Sequence, residues 1–170
     1  MTVSVRPERP EDQLDIHDVN REAFGQDEEA ELVDAVRQAG GALFSLVAVY
    51  DGQVVGHILF SPVNIESHEA MYPAVSLGPL AVLPEFQGQG IGSLLVKAGL
   101  AACREAGHGI VIVLGHPDYY PRFGFRPASL FGIRWEHDAP DEAFMVVELH
   151  QGAVAAASGV ARYHPAFEGV

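Results

Sequence analysis

Three glycines alternate in the stretch Gln87-Gly88-Gln89-Gly90-Ile91-Gly92, directly after an apolar run and directly before a helical pattern. A loop joining a strand end to a helix start presents backbone N–H groups and the positive end of the helix dipole. Glycine lets that backbone approach a guest closely and adopt φ > 0. The chemistry that suits these features is capture of an anion, a phosphate or a diphosphate. A tight turn packed on a sheet would use the same residues. Two phosphate fingerprints fail. The dinucleotide pattern G-x-G-x-x-G, counted from Gly88, needs glycine where Ser93 stands. The P-loop needs Gly-Lys-Ser/Thr, and no lysine is present there. Cys103 has no evident activating partner and reads as a small packed residue. Trp135 reads as core or as the wall of an acceptor pocket.

The elements that must hold this loop follow from periodicity. Residues 2–6 alternate as a short strand. Helical spacing covers 11–24 and 26–38, and Gly40-Gly41 ends the second run. Residues 44–49 and 54–60 read as strands joined by an Asp51-Gly52 hairpin. Pro62 is expected to disturb the second strand before it continues at 63–65. Residues 74–82 form the next strand, with Pro79 marking an edge, a bulge or a splayed end. A helix over 90–106 carries Ile91, Leu94, Leu95, Ala98 and Ala102 on one face, and Gly107 caps it. Residues 110–114 are an unbroken apolar run, as in a strand buried on both faces. A short helix is expected at 118–125, and two last strands at 133–136 and 144–149. The order predicts one mixed α/β domain over 1–150, with a small-residue extension at 151–170 packed on it.

Bulk properties narrow the function. The 170 residues are 48% hydrophobic and 19% charged, enough to bury a core and too apolar for disorder. A formal net charge of −13 argues against nucleic acid. The first forty residues hold eleven Asp/Glu against four Arg. That is a solvated surface or a rim attracting a cationic amine. No apolar run reaches a membrane span and the N-terminus lacks signal-peptide features, so no membrane partner is expected. A single cysteine fits a reducing, cytoplasmic setting. No metal site is expected.

The loop matches the Q/R-x-x-G-x-G/A signature, with Gln87 first, Gly90 fourth and Gly92 sixth. The surrounding LGPLAVLPEFQGQGIGSLLV and the later IVLGHPDYYPRFGF, with Tyr120, Gly124 and Phe125 in a Tyr-x-x-x-Gly-Phe pattern, add to the match. On these segments the chain resembles the bacterial GCN5-related N-acetyltransferases. The resemblance implies a mixed, mostly antiparallel sheet flanked by helices, with a cofactor cleft between the family's fourth and fifth strands. It also implies acetyl-CoA as donor, a small-molecule or peptide amine as acceptor, and allows a homodimer.

Residue by residue, the resemblance implies that the diphosphate lies on Gln87, Gly88, Gln89, Gly90, Ile91, Gly92 and Ser93. The pantetheine arm would pair with Leu80, Ala81 and Val82, and Phe123 would contact the cofactor. Pro79 would help splay the two strands. Arg122 and Lys97 are candidates for the CoA 3′-phosphate or plain exposed charges. Acyl transfer from a thioester to an amine needs a neutral amine, a stabilised oxyanion and a proton for the leaving thiolate. The resemblance points to the N–H near Val82 for the oxyanion and to Tyr120 as general acid. Residues 74–82 contain no acid to act as base. The candidates are Glu66, His57, His68, His116 and Glu85, or a water. His116, directly after the fifth strand, is preferred. The lack of a strand acid leaves a second reading, a non-catalytic acyl-CoA sensor on the same fold.

Overall fold

The computed structural model describes residues 2–167. The elements run β1 (Ser4–Pro7), α1 (Gln13–Phe24), α2 (Glu28–Gln38), β2 (Phe44–Tyr50), β3 (Gln53–Glu66), β4 (Met71–Val82), α3 (Ile91–Glu105), β5 (Ile110–Leu114), β6 (Arg126–Pro127), β7 (Ile133–Trp135), β8 (Phe144–Glu148) and β9 (Gly159–Tyr163). Short 3₁₀ turns fill several connections, among them Pro84–Phe86 and Tyr120–Phe123. The fold is mixed α/β with a mostly antiparallel open sheet. The chain forms two compact units. One holds the N-terminal residues to Ser61, Gly78–Gly99 and the segment from Pro165; the other holds Pro62–Leu77 and Leu100–His164.

In the first unit β1, β2 and β3 form an antiparallel meander, and Asp51-Gly52 closes the hairpin between the paired Tyr50 and Gln53. Residues 54–61 of β3 are all buried, so both faces of this strand are covered. Neighbouring residues of a strand point to opposite faces, and here Gly56 and His57 show what lies on each. A Cβ on Gly56 would meet Leu95 Cδ1 at 3.0 Å and Ile91 Cγ2 at 3.3 Å, which puts α3 on that face. His57 Nδ1 lies 3.2 Å from Asn20 Nδ2, which puts α1 on the other. Further along the α3 face, Gly99 lies so close to Phe60 that a methyl would run into the ring. At the start of α1, buried Asp12 accepts Arg6 at 2.6 and 3.0 Å and the Arg9 N–H at 2.7 Å. These bonds compensate the buried charge. Arg6, above all, holds the Asp12 carboxyl below its ordinary range.

In the second unit, β4 pairs with β5 in parallel over Val75–Leu77. β8 pairs antiparallel with both β5 and β6. β9 lies antiparallel to the second half of β3 and parallel to β7. The core of this unit is built from Val63, Ile65, Ile110, Ile112, Ile133 and Val146, among others.

Two expectations are revised. β3 runs unbroken through Pro62. The β2 ladder reaches Phe60 and the β9 ladder begins at Val63, so the missing proline N–H falls where partners change. The helix expected at 118–125 is one 3₁₀ turn, Tyr120–Phe123. The C-terminal extension, expected to pack on the domain, supplies β9 to the sheet; residues 168–170 lie outside the described residues.

The Gly99–Phe60 contact gives a measurable expectation. Gly99→Ala gains about 1 kcal/mol of helix propensity, but displacing the ring costs more. A net destabilisation of about 1–3 kcal/mol in urea unfolding is expected. Adding Phe60→Leu should recover part of it, as a double-mutant cycle would show.

Candidate functional site

The glycine loop belongs to the first unit. It follows the 3₁₀ turn Pro84–Phe86, which is closed by Phe86 N–H to Leu83 O at 2.9 Å and Gln87 N–H to Pro84 O at 3.3 Å. Gly88 and Gly90 adopt φ of +76° and +83°, the left-handed region that side chains disfavour. A Cβ at either position would meet nothing within 4 Å, so conformation and access, not packing, call for glycine there. α3 then starts at Ile91, and its hydrogen-bond ladder begins with Leu94 N–H to Gly90 O at 3.1 Å. The first-turn amides of such a helix have no carbonyl one turn back. Residues 87–90 are exposed, Gly92 and Ser93 half-buried, and Ile91 buried as the anchor. The result is an exposed run of backbone at the positive end of a fifteen-residue helix.

The end of β4 sits beside it. Leu83 N–H bonds Val55 O at 2.9 Å, and Ala81 O lies 3.3 Å from where a Gly56 Cβ would be, so residues 81 and 83 present their polar groups to β3. By strand alternation, the N–H and C=O of Leu80 and Val82 face the opposite edge. The Val82 carbonyl there accepts Gln87 Nε2 at 2.9 Å. Gln89 Nε2 reaches Glu85 O at 3.5 Å. The glutamine at the head of the loop is thus a tether to the strand, a role invisible in the motif itself.

In the second unit the segment after β5 forms a compact aromatic turn. His116 O accepts the N–H groups of Tyr119 and Tyr120 at 3.1 and 3.4 Å. The buried Tyr120 ring covers Gly115 and meets Phe125 at 5.7 Å and Tyr119 at 5.1 Å, edge to face. Burial first, and then Tyr119, pushes the Tyr120 hydroxyl above the ordinary tyrosine range. Phe123 is half-buried against Tyr119 at 5.3 Å. Arg122 donates to Tyr119 O at 2.9 Å and stacks on its ring at 4.5 Å. His116 is exposed, as are Lys97, His68 and Glu85. Glu66 is bound to Arg162 at 2.6 Å.

His57 is occupied elsewhere. It is fully buried in a relay that joins α1, β2, β3, α2 and the residue after β1. Asn20 presents an N–H to Nδ1, so Nε2 carries the proton and donates to Ser45 Oγ at 2.8 Å. Ser45 in turn donates to Glu8, which Arg37 holds with two bonds of 2.9 Å. Serine, histidine and carboxylate are all present, but in the wrong order for a nucleophile, because the histidine gives its proton to the serine. Burial brings His57 down to about 3, outweighing the pull of Glu8 in the other direction. For Glu8, burial acts to raise the carboxyl, but hydrogen bonds from Arg37 and Ser45 win and lower it. Cys103 is buried and its thiol is pushed up to about 12 by that burial, which makes it inert.

Comparison with known proteins sets the chemistry of these features. A family model described as "Acetyltransferase (GNAT) domain" matches residues 4–128. The chain belongs to the GNAT acetyltransferase family. It is 37% identical over 164 residues to the "Uncharacterized N-acetyltransferase YhbS" of Escherichia coli (strain K12), covering 96% of this chain and 97% of the relative. The crystal structure of that E. coli protein in complex with CoA superimposes with a TM-score of 0.92 at 36% identity, over 97% of this chain and 91% of the other. A GNAT family acetyltransferase from Brucella melitensis in complex with acetyl-CoA gives 0.82 at 38% identity, over 98% and 99%. Among the described residues, no helix of this GNAT chain is long and apolar enough to cross a membrane.

The buried histidine makes stability depend on pH. Below about pH 6.5 an unfolded histidine binds a proton that folded His57 refuses, so the unfolded state gains and stability falls on acidification. Between about pH 7 and pH 5 this one group should remove about 2 kcal/mol. Glu8 adds to the loss only below its ordinary range. Urea unfolding of His57→Gln should show a correspondingly flatter pH dependence over that interval.

Proposed function

We propose that this chain binds acetyl-CoA through the glycine loop and transfers the acetyl group directly to the amine of a small molecule or peptide. The observation that carries this reading is the loop's geometry: two glycines at positive φ leave the backbone exposed just before α3, next to the end of β4 at Val82, to which Gln87 is tied. The family and the acetyl-CoA complex of the Brucella relative support the same donor. Amides of residues 88–92 hold the diphosphate, with Gln87 and Ser93 flanking them, each charge-assisted bond contributing on the order of 1.5–3 kcal/mol. The pantetheine arm pairs with Leu80, Ala81 and Val82 as an added strand, and Phe123 packs against the cofactor.

In the reaction, the amine nitrogen forms a bond to the thioester carbonyl carbon. The Val82 N–H stabilises the oxygen as it gains charge. The C–S bond breaks, the nitrogen loses its proton and the sulfur leaves as a thiol. We assign Tyr120 to the departing sulfur and His116 to the amine's proton. Tyr120 keeps its proton throughout the neutral range because burial raises it. With a thiol near 8.5 in water, its part is to donate a hydrogen bond to the developing thiolate more than to surrender the proton outright. Exposed acids such as Asp15, Asp18, Glu28 and Glu31 favour a cationic acceptor.

Gly90→Asp tests the loop. The new side chain is strained at positive φ and its charge opposes the diphosphate. Calorimetry should show acetyl-CoA affinity reduced by about tenfold or more; unchanged affinity refutes the loop assignment. Tyr120→Phe should lower kcat about ten- to a hundredfold with little change in acetyl-CoA KM, followed as thiol release over an amine panel. Full retention of activity would remove Tyr120 from the reaction while leaving the loop intact.

A further inference from the structure

The Gln87 side chain does something the diphosphate does not require. The turn beneath it is already closed by Phe86 N–H to Leu83 O and Gln87 N–H to Pro84 O. Yet the exposed carboxamide reaches back five residues to bond Val82 O at 2.9 Å. Holding a glutamine side chain in one rotamer costs about 1.5–2 kcal/mol of entropy, so the bond adds little to folding. Its acceptor is telling. The Val82–Leu83 peptide is pinned on one side by Leu83 N–H to Val55 O at 2.9 Å, and Gln87 pins its other side. That fixes the plane next to the Val82 N–H, on the edge of β4 that β3 leaves open.

We infer that Gln87 is a positioning residue: its side-chain N–H clamps the end of β4 to the glycine loop, so that the Val82 edge and the loop amides stay aligned for the two ends of one ligand. The inference rests on the acetyl-CoA reading above. The acyl-pantetheine arm lies along the strand edge and the diphosphate on the loop, and a ligand spanning both gains from their fixed spacing. A ligand touching only the loop does not.

The test uses the full chain with Gln87→Met, similar in length but without a donor. Calorimetry is run with acetyl-CoA and with 3′-phosphoadenosine 5′-diphosphate, which keeps the diphosphate but has no pantetheine arm. Acetyl-CoA affinity should fall about three- to tenfold, the nucleotide's less than about twofold, and the melting temperature should hold. Gln87→Glu, which cannot donate, should do no better than Gln87→Met. Unchanged acetyl-CoA affinity in Gln87→Met, equal losses for both ligands, or a lowered melting temperature would each overturn the positioning role. A wild-type protein that does not bind acetyl-CoA would instead overturn the reading on which it rests.

Discussion

The arrangement depends on how closely α3 lies against β3. Gly56 and Gly99 remove the side chains that would hold the two apart, and Ile91, Leu95 and Phe60 fill the contact. A helix kept this near the strand cannot shift along it without collision, because packed interiors resist displacement of even a methyl. The helix start is therefore fixed relative to the end of β4, where Leu83 hydrogen-bonds Val55. The amides of residues 88–92 inherit that position. Backbone donors held this way lose no freedom when a ligand arrives, which suits a loop with no cation of its own to the anion proposed for it.

The opposite face of β3 is organised by polarity. His57, Ser45, Glu8 and Arg37 form a chain of donors and acceptors that closes on a charge pair, with Asn20 at the other end. Such a network has a directional demand that apolar packing lacks, so it specifies the placement of α1 and α2 over the meander. One atom is left over: buried Asn20 Oδ1 has no hydrogen-bond partner among the described residues, while its Nδ2 also bonds Ile16 O at 3.0 Å. The strand thus separates two kinds of order, shape on the α3 side and hydrogen bonding on the other.

Much of this was legible in the sequence, where signals are local. The hairpin at Asp51-Gly52, the continuous apolar run of β5 and the loop-to-helix junction at Gly90 each announce themselves within ten residues. The family resemblance through Gln87, Gly90 and Gly92 agrees with the family match. What the sequence hid are partners far apart in the chain. The bonds that link His57 to Ser45, Ser45 to Glu8 and Glu8 to Arg37 span 12, 37 and 29 positions with no common period, so His57 looks there like any strand histidine. β9 was missed because Gly159–Tyr163 lies in a run of small residues with little strand pattern, and its pairing with Val63–Glu66 is set by tertiary context. Pro62 looked like an interruption for the same reason: only the neighbours show that no donor is needed there.

β9 also bears on where the functional unit ends. The family match stops at residue 128, whereas the strand covering Val63–Glu66 begins at Gly159. A protein shortened to the matched region would leave that stretch of β3 as a bare edge and strip Val63 and Ile65 of cover from β9. Unpaired strands of this kind recruit other chains. Trimming would turn this fold into an aggregation-prone fragment, so β9 belongs in any minimal version of the enzyme.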